Sequence, residues 1–295
     1  MIEFFDAVFT NPAAGFLRNA LIAGILAGIS FSVVGTYVVA RRIGSIAGAI
    51  AHCVLGGIGA AFYLQRSYNL NWLDPLYGAF VAGVVAALMI GLVSIYAKER
   101  EDTIIAAIWS TGMAIGFLFV ARTPGSGVDL MRYLEGNILL VSQDAIFWVI
   151  VLGAVVIVSS ILFYPKFVAI CFDSEFAQLR GVRANLLYLF LLVLTAISIV
   201  LLSSVIGILM VIALFVIPPA LASGFTRQLW QVMIFSVVIC TLLIIFGMAI
   251  SYGQDLPSGP TIVVLAGILY FGGMFGGIVL RKLFNRSRAG AAQQS

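Results

Sequence analysis

Long apolar stretches separated by short polar knots dominate this sequence. Nine runs contain no Asp, Glu, Lys or Arg: 20–40, 46–64, 76–97, 103–121, 145–164, 186–202, 205–225, 229–250 and 260–280. A helix of about 17–25 residues spans the hydrocarbon core of a bilayer, so each run predicts a transmembrane helix. Run 186–202 is the shortest, and only Ser203 and Ser204 part it from 205–225. That pair reads either as a full hairpin or as one helix followed by a half-helix that re-enters. The pattern predicts an all-α integral membrane protein, a polytopic bundle of nine crossings with eight as the alternative. A transmembrane barrel would alternate apolar and polar residues over short strands, and these runs are continuous.

Composition agrees. Hydrophobic residues make up 62% of the 295 and charged residues 9%, with a mean hydropathy of +1.15. So few charges cannot cover the surface of a water-soluble enzyme of this size. The whole chain, 1–295, reads as a single membrane domain, with a connection at 165–185 and a polar, small-residue-rich tail at 282–295 expected to be disordered. Ile2, Phe4, Phe5, Val8 and Phe9 suggest a short interfacial helix. Without a basic n-region, the start does not read as a cleavable signal peptide.

The charges give an orientation. With the N-terminus outside and nine crossings, 12 of the 16 Lys and Arg fall inside and four (Arg18, Arg66, Arg122 and Arg132) outside, as the positive-inside rule requires. The topology is therefore N-out and C-in, with 165–185 in the cytoplasm. The net charge of +4 is a signature of topology and does not call for a nucleic-acid partner. Cys53, Cys171 and Cys240 sit in or beside the spans and suggest no disulfide framework.

Absent motifs narrow the chemistry. The sequence has no G-x-x-x-x-G-K-[ST] phosphate loop, no H-E-x-x-H and no G-x-S-x-G. No pair of carboxylates lies within a run, so neither catalysis nor an acid-based ion relay is indicated. What remains is a stripe of small residues. Gly44, Gly48, His52 and Gly56 recur every four residues, and Gly24–Gly28, Gly112–Gly116, Gly272–Gly276 and Gly273–Gly277 repeat the small-xxx-small pattern of close helix packing. Pro218 and Pro219 are expected to kink or end the helix over 205–225. His52, the one histidine, reads either as a metal ligand facing a pathway or as a neutral ring hydrogen-bonded to a neighbouring helix. Cys53 points about 100° away on a helix and reads as packing.

The stretch 165–185 (PKFVAICFDSEFAQLRGVRAN) is the most informative connection. Phe172, Phe176 and Leu179 fall on one face of a short amphipathic helix, with Gly181 as a turn. Glu175, Ala177 and Gly181 form E-x-A-x-x-x-G. Such a lever suits a cytoplasmic protein partner.

Five segments, in order, resemble the permease subunit of the zinc/manganese/iron family of ABC importers. They are GTYVVARRIGSIAGAIAHCVLGG (35–57), VDLMRYLEGNIL (128–139), FDSEFAQLRGV (172–182), TAISIVLLSSVIGILMVIALFVIPPALA (195–222) and DLPSGPTIVV (255–264). The likeness runs from about residue 20 to residue 280. It implies a type II ABC importer permease fold in the bacterial plasma (inner) membrane, not an enzyme itself. Its implied partners are a second copy, two cytoplasmic ATPase subunits and an external metal-binding protein. A divalent metal would be the transported substrate, with no permanently bound cofactor. Glu175, Ala177 and Gly181 map onto the family's coupling helix. His52 matches the histidine of the family's Asp-x-x-x-His, and Gly48 stands at the aspartate position. Losing that carboxylate favours zinc, with manganese or iron as alternatives. The competing readings are a siderophore- or cobalamin-type ABC permease, an ATP-independent secondary carrier, and a scaffold without transport.

Overall fold

The computed structural model describes residues 15–70, 72–96, 101–124, 143–226 and 228–292. Its elements are helices: α1 (Gly15–Ala40), α2 (Gly44–Ser67), α3 (Pro75–Tyr96), α4 (Glu101–Ala121), α5 (Gln143–Phe172), α6 (Ser174–Leu179), α7 (Ala184–Ile206), α8 (Ile208–Ser223), α9 (Leu229–Gln254) and α10 (Ser258–Ala292). Eight of them are long and apolar enough to cross a membrane. Helices are the expected element, because only a helix satisfies every backbone N–H and C=O within one segment when water is absent; of the nine crossings expected, the run at 205–225 yields a helix shorter than the other eight.

α8 is the exception in length, at 16 residues, or about 24 Å. Gly207, at φ 91 and ψ 151, separates it from α7. Its far end returns to the end of the bundle where α7 begins. A Cβ at Gly44 would lie 3.6 Å from Val216 of α8, and nearby Arg41 stacks 4.2 Å over the Tyr188 ring near the start of α7. α7 and α8 therefore form a hairpin with one short arm. Leu17 and Ser258 line one cavity at the opposite end, so α1 and α10 start together there. The helices long enough to span, together with α8, alternate in direction.

The helix expected to kink or end at Pro218 and Pro219 does not end there and continues through both to Ser223. The prolines remove the N–H groups that would bond Leu214 and Phe215 carbonyls, and the backbone of Gly35 in α1 packs directly on Phe215 O. α5 likewise runs through Pro165 to Phe172. α10 runs as helix from Ser258 to Ala292. The suggested helix near residues 2–9 and the segment 128–139 lie outside the described residues.

Packing is closest around α2, which sits against α3 on one side and α4 on the other. A Cβ at Gly56 would lie 2.5 Å from Gly112 O of α4, and one at Gly59 2.6 Å from Gly116 O. Gly57 and Gly78 of α3 meet backbone to backbone in the same way. The four-residue stripe drifts about 40° per step, so Gly44 faces α8 while Gly48, His52 and Gly56 face α4. On α1, Gly28 rests on Cys240 and Ile244 of α9. The pairs at Gly272 and Gly273 behave differently: Gly272 has open space around it, and Gly273 touches only Leu221.

Gly56→Leu places a branched side chain where only hydrogen fits. The expected cost is about 1–3 kcal/mol of packing strain or more. It should show as a lower melting temperature and a smaller monodisperse fraction of detergent-solubilised protein. Gly272→Leu should leave both unchanged.

Candidate functional site

Two places carry chemistry: an imidazole within the bundle and a short helix at one end. α2 presents His52 half-buried, one turn after Gly48. His52 Nδ1 lies 2.8 Å from Gly48 O. A carbonyl only accepts, so Nδ1 carries the proton and donates. In the neutral ring this tautomer leaves the lone pair on Nε2. Metal-ligating histidines have this arrangement, with the second nitrogen tied to a carbonyl or carboxylate that fixes tautomer and orientation.

Trp109 of α4 covers one face of that ring, with centroids 4.5 Å apart and planes at 31°. Cys53 turns elsewhere: its Sγ reaches Ile108 O at 3.4 Å, and a Cβ at Gly112 would press on it. It packs, as its place on the helix suggested. It also lines an apolar cavity of about 310 Å³ between α2, α3 and α4, together with Val85, Met89 and Thr111. Among the described residues no three His, Cys, Asp or Glu side chains converge to hold an ion. The described residues of the chain thus offer one imidazole at this place, and Gly48 adds no oxygen from a side chain.

The helix α6 forms because Asp173 caps it, accepting from Phe176 N at 2.8 Å. It stops because Gly181 takes φ +77. Val182 N then reaches Ala177 O and Gly181 N reaches Gln178 O, a Schellman ending. Ala177 is 1% exposed and inserts among Tyr37 of α1, Phe167 and Ile170 of α5, and Leu191 of α7. Glu175 faces out, as do Phe172, Phe176 and Leu179, the last 87% exposed. The stretch therefore pairs one buried anchor with the exposed Phe176 and Leu179, while Phe172, expected on the same short helix, ends α5 instead.

Arg41 escaped the sequence reading, which counted it only as a loop charge. Its guanidinium donates to Ile170 O and stacks on Tyr188, tying the end of α1 to α5 and α7 beside α6. Tyr37 adds a hydroxyl contact to Ser160 Oγ at 2.8 Å. Trp109 was missed as well, although an indole set among Ala, Ser, Thr and Gly was a visible signal. At the opposite end, Asp255 (φ 52) lines a cavity of about 250 Å³ with Leu17, Ser251 and Tyr252.

An all-helical bundle in which eight helices are long and apolar enough to cross a membrane defines a polytopic membrane protein. The chain belongs to the ABC 3 transport family, whose model matches residues 13–277. It is 39% identical over 276 residues to a Chlamydia pneumoniae protein named a probable metal transport system membrane protein, covering 92% of this chain and 91% of that one. It is 31% identical to the manganese transport system membrane protein MntC of Halalkalibacterium halodurans, covering 90% of this chain and 88% of the relative. Among solved structures, PsaBC from Streptococcus pneumoniae, in complex with Fab, superposes with a TM-score of 0.79 at 28% identity, over 92% of this chain and 95% of that chain. The protein is thus a multi-pass permease subunit of a metal ABC importer in the bacterial plasma membrane, and not itself an enzyme.

Removing either stop of α6 should loosen it. Asp173→Ala costs about 1 kcal/mol through the lost cap. Gly181→Ala costs about 1–2 kcal/mol through the left-handed backbone alone, since nothing lies within 4 Å of the added Cβ. Faster amide exchange confined to residues 174–182 would report both.

Proposed function

We propose that this subunit forms, as a homodimer, the path by which a divalent metal ion enters the cell, and that His52 is the ligand met in transit. The observation carrying this reading is the Nδ1–H bond to Gly48 O, which leaves Nε2 free. Two copies would give two imidazoles and no carboxylate. That is a weak site, and weakness serves transport, because an ion bound in a tight cage would not leave. The metal is cargo, and no resident cofactor is needed.

The motor is a pair of separate ATPase subunits that grip α6, with Glu175 on the exposed side, Ala177 as the anchor and Gly181 as the stop. The exposed Phe172, Phe176 and Leu179 support this, because an apolar face at the end of a helix pair calls for a partner. Closure of the ATPases would pull Ala177 against Tyr37 and Phe167 and so shift α1 and α5. The N-terminus faces out and α6 faces the cytosol, in line with the excess of Lys and Arg on that side. An external protein would deliver the ion to the acidic outer end, where Asp255 lies.

Zinc is the preferred cargo on ligand chemistry, since imidazole without carboxylate suits a borderline ion better than a hard one. Manganese is the second reading, favoured by relatives named for its transport. Competition between the two ions for uptake by the assembled transporter decides between them.

His52→Ala should lower uptake about tenfold or more with normal assembly; unchanged uptake removes the ligand role. Ala177→Leu overfills a buried position. Metal-stimulated ATP hydrolysis by the assembled complex should fall while the membrane level of the permease stays close to normal. Retained coupling in that variant would count against α6 as the lever.

A further inference from the structure

Trp109 holds a position that neither the ligand reading nor the coupling reading uses. It lies on α4 one turn before Gly112, and Gly112 and Gly116 lock α4 against α2 through backbone contact. This fixes the indole over two residues at once. It stacks on the His52 ring at 4.5 Å, and it lies over Gly48, where a Cβ would already be 3.6 Å from its Cζ3. An alanine fits there in ordinary contact. A longer side chain at 48 would compete with the indole for the same space.

The other polar groups nearby are turned away from the ring. Ser110 Oγ donates to Ala106 O at 2.9 Å, and Thr111 Oγ1 donates to Ala107 O at 2.6 Å. Both hydroxyls are spent on their own helix. Trp109 is therefore the one side chain of α4 shown in ring contact with the imidazole.

We propose that Trp109 is a positioning and specificity-determining residue for metal passage. Its ring keeps the imidazole in the orientation that bonds Gly48 O and exposes Nε2. By filling the volume over Gly48 it also holds the ligand set to nitrogen, without an oxygen donor. A site with imidazole alone disfavours hard ions relative to borderline ones. The proposal rests on His52 being a ligand, and the test separates the two.

The experiment compares wild type, His52→Ala, Trp109→Ala, Trp109→Phe, Gly48→Asp and Gly48→Asp/Trp109→Ala in the complete reconstituted transporter. Zinc and manganese uptake are measured over a range of concentrations, and assembly is checked by size exclusion. Trp109→Ala should raise the half-saturating zinc concentration about tenfold with the maximal rate little changed, and Trp109→Phe should recover most of the loss. Gly48→Asp alone should shift the zinc-to-manganese ratio only slightly. The double variant should shift it toward manganese by about tenfold, because the carboxylate then has room. A second readout is optical. With the exposed Trp72, Trp148 and Trp230 replaced by Phe, cobalt(II) should quench Trp109 fluorescence, and His52→Ala should abolish the quenching.

If Gly48→Asp alone shifts the ratio as far as the double variant, the volume argument is overturned. Equal zinc curves for wild type, Trp109→Ala and Trp109→Phe overturn the positioning role. When His52→Ala abolishes uptake and quenching but the Trp109 variants behave as wild type, only this inference falls. Normal uptake and quenching with His52→Ala remove the ligand reading and this inference together.

Discussion

Backbone meets backbone where α2 passes α3 and α4, and that contact sets the geometry of everything near His52. Helices surrounded by lipid gain nothing from hiding apolar side chains, so they associate through van der Waals packing at close range. Gly56 and Gly59 against Gly112 and Gly116, and Gly57 against Gly78, bring the axes close enough that no Cβ fits between them. Such a contact has one register. It places Trp109 over Gly48 and His52, and it places Cys53 on Ile108 O.

The α6 end is built on a different principle. Aromatic side chains fill it, with Phe167 stacked on Phe190 at 6.2 Å and tilted against Tyr37 at 5.0 Å. Arg41 closes the cluster by pairing with Ile170 O and the Tyr188 ring. Bulky rings in contact transmit displacement because a packed interior does not compress. The glycine-rich region is rigid through proximity and the aromatic end through bulk. A push on Ala177 therefore meets α1, α5 and α7 together.

The spans were legible because charge-free runs of this length have few other physical outcomes. The short helix over 174–179 was legible because the apolar spacing and Gly181 are local signals, while its Asp173 cap emerged only in the structure. The ends of elements were less so. Pro218 and Pro219 were expected to kink or end their helix, yet helix continues through both, with the backbone of Gly35 packed on the Phe215 carbonyl that they help to free; α5 runs on through Pro165 as well. His52 and Gly48 were visible as a pair from their spacing. The partners of Trp109 and Arg41 were not, because each acts across helices distant in sequence, and no single-helix pattern encodes which face meets which neighbour. Position 42 hides a related subtlety. Arg42 takes φ 63 at the end of α1, a conformation that Gly181 adopts at the end of α6, and nothing in its residue type announces it.

The brevity of α8 has a consequence for the corner at Gly207. Its partner in the hairpin is 23 residues long against its own 16, a difference of about 10 Å along the axis. The corner itself is enclosed by protein: Gly207 is buried, and Ile206 and Ile208 are each 1% exposed. Non-helical backbone at membrane depth is tolerated only where protein or a water-filled cavity covers it. The hairpin therefore bends inside the bundle, and its neighbouring helices stand between the bend and the acyl chains.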